Sequence, residues 1–189
     1  MTDLPAADVI VHSCDFTLSG SEKEAIEFMQ WFCDLPYNHK VFVAGNHDMC
    51  MYGADKVEGL PDDVHYFCNS GIDIDGIKFY GMPMFMEYAM DGTYEQHIKD
   101  IPDDTDVLVT HQTPYGILDG GEYKGQASYH YGDYFLYTRV IDVKPKLHLF
   151  GHDHNAYGSI EQFGTAFSNA AVVDEHYKLK EIKYLTYKI

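Results

Sequence analysis

Four times along this chain, a run of apolar residues ends in side chains that carry metal-binding or hydrogen-bonding atoms. The clearest case is the run 41–44, which leads directly into Gly45-Asn46-His47-Asp48. A short buried strand followed by a glycine and three polar side chains is typical of a functional loop on a rigid sheet. Taken alone, these four residues would also fit an ordinary turn, because Gly, Asn and Asp are common turn residues. The repetition is what constrains the fold.

Three further apolar runs, 9–11, 106–110 and 147–150, are followed by comparable residues. Those residues are Asp15, His111 and the sequence Gly151-His152-Asp153-His154. In an α/β sheet, side chains at the carboxyl ends of the strands converge on one edge, where ligands bind. The candidate ligands of one shared site are therefore Asp15, Asn46, His111, His152 and His154.

These five residues supply carboxylate, amide and imidazole groups without a thiolate, which suits Mn, Fe, Zn or Ni. A carboxylate can bridge two metals and an imidazole cannot, so Asp15 is the bridging candidate. Each residue also has an ordinary alternative: Asp15 could cap the next helix, Asn46 could belong to a turn, and His111 could hydrogen-bond within its loop. The pair His152 and His154, at i and i+2 beside a glycine, is the hardest to explain without a shared ligand.

The remaining pattern predicts one α/β domain over residues 1–189, with enough apolar content (46%) for a substantial core. A serine cap and acidic first turn predict a helix over 22–33, and Asp75-Gly76 predicts a type I′ hairpin. A long loop over 112–131 is expected to be functional. Further strands are predicted at 40–44, 64–68, 165–173 and 179–189, and further helices at 93–100 and 134–140.

The formal net charge is −17, and Arg139 is the only arginine. Since Lys and Arg are not concentrated anywhere, strong nucleic-acid binding is not expected. The acidic surplus fits either bound divalent cations or simply a soluble acidic protein. The four cysteines are dispersed without a C-x-x-C pair, which indicates free thiols. No leader and no apolar run of about 18 residues is visible, so we expect a cytoplasmic protein with no membrane span.

Taken together, these motifs resemble those of a known protein family. Cys14-Asp15, Gly45-Asn46-His47-Asp48, His111 and Gly151-His152-Asp153-His154 resemble, in order and spacing, the motifs of the calcineurin-like metallophosphoesterases. The family pattern is D-x-H, G-D, G-N-H-D/E, H and G-H-x-H. The segments 15–17, 116–119 and 145–148 are most similar to the small metallophosphoesterase-domain branch, whose eukaryotic members hydrolyse phosphodiesters.

The resemblance implies a four-layer α/β/β/α sandwich of two mixed sheets with the metals at the sheet edge. It implies Asn46, His111 and His152 on one metal, Asp15 bridging and His154 on the other. The implied activity is a metal-dependent phosphodiesterase or phosphatase that uses a metal-activated water on a small phosphoester. His47 would stabilise charge on the phosphate or protonate the leaving oxygen, with Asp48 holding its ring; a purely hydrogen-bonding role is the alternative for His47.

Two departures from the family pattern qualify these expectations. Cys14 replaces the glycine before Asp15, and the D-x-H motif is absent together with the first strand; Asp63-Val64-His65 matches it in letters but leads into a strand. We therefore expect one complete metal site, against two in the family, and low or absent activity. The alternative is a non-catalytic or regulatory module that keeps one metal. An exposed strand edge would also favour a homodimer.

Overall fold

A computed structural model of the chain describes residues 4–120, 129–181 and 184–189. The strands are Val9–His12 (β1), His39–Phe42 (β2), Val64–Tyr66 (β3), Ser70–Ile74 (β4), Ile77–Met82 (β5), Val107–Thr110 (β6), Leu147–Phe150 (β7), Gly158–Gln162 (β8) and Thr165–Asn169 (β9). The helices are Glu22–Cys33 (α1), Met86–Asp91 (α2), Tyr94–Lys99 (α3) and Tyr134–Val143 (α4), with a 3₁₀ turn at Met49–Met51.

The strands form two sheets. The smaller has the order β1-β2-β3 and the larger the order β4-β5-β6-β7-β9-β8. The larger sheet is mixed, with antiparallel pairs at both edges, whereas both described pairings of the smaller sheet are parallel, where mixed pairing was expected. The carboxyl ends of β1 and β2 therefore lie at one edge of the smaller sheet, and those of β6 and β7 at one edge of the larger sheet.

Three apolar layers hold the sandwich together, and strand periodicity assigns each side chain to a layer. In β2 and the residues after it, Val41 and Val43 face the larger sheet, while Phe42 packs against α1. In β6, Val107 and Val109 face the smaller sheet, while Leu108 packs against α3 and α4. The layer order is thus helix, sheet, sheet, helix, and the predicted α/β/β/α sandwich is confirmed.

Local signals account for several of the elements. The Ser21 hydroxyl accepts the Glu24 N–H, and the Glu24 carboxylate accepts the Ser21 hydroxyl at 2.8 Å, so the predicted cap of α1 is formed. The β4–β5 hairpin turns at Asp75 and Gly76, whose φ values of 53° and 84° are those of the predicted type I′ turn.

The tail was predicted incorrectly. In the described parts of 179–189 no strand forms, and only an isolated bridge joins Val173 to Leu179. Leu179 and Ile189 are 58% and 50% exposed, so the apolar alternation there does not reflect burial.

Strand β8 was missed because its residues are largely exposed and carry no apolar pattern. Part of the predicted 112–131 loop, residues 121–128, lies outside the described residues.

Both outer strands of the smaller sheet, β1 and β3, pair only with β2 in the described chain, so β1 has an unpaired edge. A homodimer that covers this edge remains a prediction. In the ranges that the structure covers, no helix combines the length and the apolar character needed to span a membrane.

Candidate metal centre

The amide oxygen of Asn46 is the point at which the predicted ligands meet. His111 Nε2 and His152 Nδ1 each lie 3.0 Å from Asn46 Oδ1. Asp15 Oδ2 lies 3.4 Å from the same His111 nitrogen. His154 lines the cavity that Asp15 and His152 also line. The fold thus brings residues from the ends of four strands to one place, as the sequence predicted.

The hydrogen bonds of His111 define which of its nitrogens is free. The ring is fully buried, and burial lowers the pKa of His111 to about 3, so it is neutral and carries one N–H. Nδ1 lies 3.2 Å from the carbonyl oxygen of Ser13, which can only accept a hydrogen bond. Nδ1 therefore carries the hydrogen, and Nε2 presents a lone pair to the oxygens of Asn46 and Asp15.

Lone pairs that face one another across 3.0–3.4 Å without a proton between them are the arrangement that a cation stabilises. Within residues 4–120, 129–181 and 184–189, no three His, Cys, Asp or Glu side chains by themselves form a metal-binding group. The cluster depends on the neutral amide of Asn46 as its fourth donor. Two imidazoles, an amide and a carboxylate fit Mn, Fe, Zn or Ni.

Gly45 makes this close approach possible. A Cβ atom on Gly45 would lie 2.2 Å from Asp15 Oδ1 and 2.5 Å from His111 Cε1, distances that side chains cannot occupy. Gly151 has a similar role toward Cys14, because a Cβ there would lie 2.5 Å from the Cys14 sulfur. Cys14, which stands where the family has glycine, is thus accommodated by the glycine of the opposite loop, and its thiol donates to the carbonyl of Ala170 at 3.3 Å.

His47 lies beside Asp15 at the mouth of the site. Its backbone N–H donates to Asp15 Oδ1 at 2.8 Å; burial raises the pKa of Asp15, and this hydrogen bond opposes the rise. The His47 ring Nδ1 lies 2.8 Å from the carbonyl oxygen of Leu18, so Nδ1 carries a hydrogen and holds the ring in place. Nε2 is left for a ligand in the cavity.

Asp48 does not hold the His47 ring, contrary to the expectation. Its buried carboxylate instead accepts the backbone N–H groups of Gly45 and Thr17, each at 2.8 Å, and of Phe16 at 3.2 Å. Burial raises the pKa of Asp48 to about 6, and the N–H groups oppose this. Asp48 therefore fastens the loop after β1 to the loop after β2, and its effect on chemistry is indirect.

A cavity of about 200 Å³ opens over the Asp15 side of the cluster. Its wall includes His47, His154 and Tyr177. Neither Asp63 nor His65 lines it: Asp63 pairs with Lys40, and His65 lies 3.4 Å from His39. The sequence Asp63-Val64-His65 therefore does not replace the absent D-x-H motif at this site.

Sequence reasoning missed the residues that act here through their backbone. The carbonyls of Ser13 and Leu18 orient His111 and His47, and backbone carbonyls leave no side-chain signal to find. Tyr177 was also missed. Its only signal is an aromatic residue directly after the polar turn 174–176.

A sandwich of this kind, with nitrogen and oxygen donors meeting at its strand ends, defines a metallophosphoesterase-like protein. The sequence profile of the calcineurin-like phosphoesterases matches residues 2–156, and the chain belongs to this family. Metal-dependent phosphoester hydrolases are the coarse class that this family defines, and they are the class that the motifs predicted.

The chain is 32% identical to the UPF0046 protein K07C11.7 of Caenorhabditis elegans, over 89% of its own length. It is 29% identical to the human metallophosphoesterase domain-containing protein 1, over 93% of its length. In both cases the chain spans 63% of the relative. The crystal structure of TT1561 of Thermus thermophilus superimposes with a TM-score of 0.57 at 12% identity, covering 87% of this chain and 77% of that one, which supports the fold alone.

Proposed function

We propose that this chain binds a divalent cation, with manganese as the ion to test, and hydrolyses small phosphodiesters or phosphomonoesters. The observation that carries the proposal is the unprotonated Nε2 of His111, directed at the oxygens of Asn46 and Asp15. A packed core has no use for such a cluster of acceptors, whereas a cation stabilises it.

On this proposal Asn46, His111 and His152 hold one ion, with Asp15 between it and a second position beside His154. A bound divalent ion supplies a Lewis acid for the phosphoester and lowers the pKa of a water molecule toward about 7. Asp15 is held for this role by the His47 N–H at 2.8 Å.

His47 can give a proton to the leaving oxygen when its ring is cationic, because Nδ1 holds the single hydrogen of the neutral ring and only the imidazolium also carries one on Nε2. With Nδ1 tied to the Leu18 carbonyl, rotation of the ring is restricted and Nε2 is the only ring nitrogen available to a substrate. A positioned acid of this kind contributes typically about 100- to 10,000-fold to the rate. A charge-stabilising hydrogen bond from the same nitrogen to the phosphate is the second use of this geometry.

The second candidate function is a non-catalytic or regulatory module that holds one ion. The observation that favours it is the uneven distribution of donors. Asn46, His111, His152 and Asp15 form one cluster of four donors, whereas the other side of the cavity has His154 and a share in Asp15 as its predicted ligands.

One set of assays distinguishes the phosphoester hydrolase from the non-catalytic one-ion module. The protein, purified with Mn²⁺, is incubated with bis(p-nitrophenyl) phosphate and with p-nitrophenyl phosphate, with and without a chelator. The proposal expects hydrolysis that needs the metal and that His47→Gln abolishes while metal binding persists; His176→Gln, at an exposed position, is the matched control. Metal binding without hydrolysis would favour the one-ion module, and no metal binding would overturn both.

A further inference from the structure

The segment 171–180, called here the tail strap, forms part of the cavity wall through Ala171, Val172, Val173 and Tyr177. The strap is folded back on itself. Val173 and Leu179 form a β-bridge, and the Asp174 N–H donates to the Lys178 carbonyl at 2.8 Å. The Asp174 carboxylate accepts the N–H groups of His176 and Lys178 at 2.8 and 2.9 Å.

Lys180 fastens the strap to the loop that carries His152 and His154. Its ammonium donates to the carbonyl oxygens of His154 at 2.8 Å, of Ala171 at 2.6 Å and of Val173. An ammonium has three N–H donors, and all three are used here. Without this cation, three carbonyl oxygens from two separate segments would face one another unpaired, which is unfavourable in a partly buried place.

The strap in turn orients the ring of His154. The Asp174 carbonyl lies 3.0 Å from His154 Nδ1 and can only accept, so Nδ1 carries a hydrogen. In the neutral ring, Nε2 is then the nitrogen with the lone pair. The Tyr177 ring is perpendicular to the His154 ring, with 5.3 Å between the ring centroids. Its centroid lies 6.3 Å from that of the His47 ring. Both the backbone and the ring of His154 are therefore held by the strap.

We propose that Lys180 is a positioning residue: by fastening the tail strap to His154, it fixes the tautomer and orientation of that imidazole and sets Tyr177 in the cavity wall. The inference rests on the proposed function only in treating His154 as a ligand. A hydrogen-bonding partner behind a ligating histidine fixes its tautomer, and its loss typically lowers metal affinity by about 10- to 100-fold.

The test compares Lys180→Met, which keeps the stem and removes the ammonium, with Lys178→Met, a lysine two positions earlier whose side chain is exposed. Amide hydrogen exchange is followed in the metal-free protein. We expect exchange of the strap amides, those of Tyr177 and Lys178 among them, to accelerate roughly tenfold or more in Lys180→Met. Strand β9 should keep its protection, and Lys178→Met should resemble the wild type. Unchanged exchange in Lys180→Met would overturn the proposal.

The tautomer of His154 is read by long-range ¹H–¹⁵N correlation spectra, with His154→Gln to assign the signal. The wild type should show hydrogen on Nδ1, and Lys180→Met should show a mixture of both tautomers. Faster exchange with an unchanged tautomer would contradict the positioning of His154. If Lys180→Met fails to fold, Lys180→Arg takes its place; its planar fork cannot reach three carbonyls as an ammonium does, so a smaller change in the same direction is expected.

Calorimetric titration with Mn²⁺ tests whether the contacts of Lys180 with the tail strap and His154 affect the metal site. Lys180→Met should weaken the Mn²⁺-binding step that involves His154 about 10- to 100-fold and leave the step at Asn46, His111 and His152 unchanged, whereas Lys178→Met should match the wild type in both steps. A wild type that binds no Mn²⁺ would overturn the proposed function, and the exchange and tautomer results would still decide whether Lys180 positions His154. Equal affinity of Lys180→Met and the wild type in the step that involves His154 would contradict the link from the strap to the site.

Discussion

His111 Nε2 lies 3.0 Å from Asn46 Oδ1, and neither atom carries a hydrogen to share. These residues are far apart in the sequence, one after β2 and the other after β6, and they belong to different sheets. The contact between them joins the two halves of the sandwich at its functional edge. Most of what we expect from this protein depends on that contact.

Substitutions at Asn46 test its contact with His111 directly. Asn46→Ala removes the shared oxygen and should weaken Mn²⁺ binding by more than about 100-fold, beyond the usual effect of an outer partner. Asn46→Asp keeps an oxygen in the same place and adds charge, so it should bind Mn²⁺ within about tenfold of the wild type. Calorimetric titration measures both. If Asn46 instead presented its NH₂ group to the histidines, Asn46→Asp would bind as poorly as Asn46→Ala.

Gly45→Ala should damage the site through shape alone. The new methyl group would lie 2.2 Å from Asp15 Oδ1, so Asp15 and His111 must move. We expect loss of Mn²⁺ binding and a fall of about 2 kcal/mol in the free energy of unfolding. Gly59→Ala is the control: nothing lies within 4 Å of its Cβ, and only its φ of +81° is unfavourable, at about 1 kcal/mol. A Gly45→Ala protein that binds Mn²⁺ normally would refute the close packing described.

His47 and Asp48 are neighbours with different expected phenotypes. His47→Gln should lower kcat about 100-fold or more with little change in stability, because its ring faces the cavity. Asp48→Ala should lower the free energy of unfolding by about 3 kcal/mol, because three backbone N–H groups lose their acceptor, although relief of the buried carboxylate offsets part of this. Urea unfolding and steady-state kinetics separate the two effects. Equal kinetic defects without loss of stability would show that Asp48 acts with His47 after all.

The buried histidine His148 predicts acid sensitivity away from the site. Burial lowers the pKa of His148 from 6.5 to about 3, while Nε2 donates to the Thr110 hydroxyl at 2.9 Å. Below pH 6.5, His148 becomes protonated in the unfolded chain but stays neutral in the folded chain. Its contribution to the free energy of unfolding is therefore fully present at neutral pH and falls as the pH decreases. The slope for one such group approaches about 1.4 kcal/mol per pH unit.

His148→Met removes that group, so the free energy of unfolding should depend less steeply on pH between 6 and 4. The exposed His176→Met should leave the slope as in the wild type. Urea titrations at several pH values measure the slope. An unchanged slope in His148→Met would mean that the acid sensitivity comes from elsewhere, with His111 and His12 as the next buried candidates, since burial lowers their pKa values to about 3 and about 4.

The sequence predicted those parts of the molecule that depend on strand ends and local turns. The strand predicted at 40–44 formed at His39–Phe42, just before the loop that carries Asn46, and the turn predicted at Asp75-Gly76 formed as expected. The meeting of Asn46 and His111 also followed, because the carboxyl ends of parallel strands share an edge.

What could not be predicted depends on contacts between distant backbone groups. The acceptor for the His47 ring is the Leu18 carbonyl, and Asp48, the obvious candidate by proximity in sequence, binds N–H groups instead. Lys180 stands in a tail whose alternating pattern predicted a strand, yet its ammonium is what fastens that tail. Such roles are fixed by three-dimensional position, and residue type alone does not reveal them.

Metal content per chain decides whether the acceptors around Asn46 hold a cation. The wild type and Asn46→Ala are purified side by side with manganese present, dialysed and measured by elemental analysis. We predict about one ion per chain in the wild type, or about two if a second position fills, and little or none in Asn46→Ala. A wild type without bound metal, or equal metal in both proteins, would contradict this prediction.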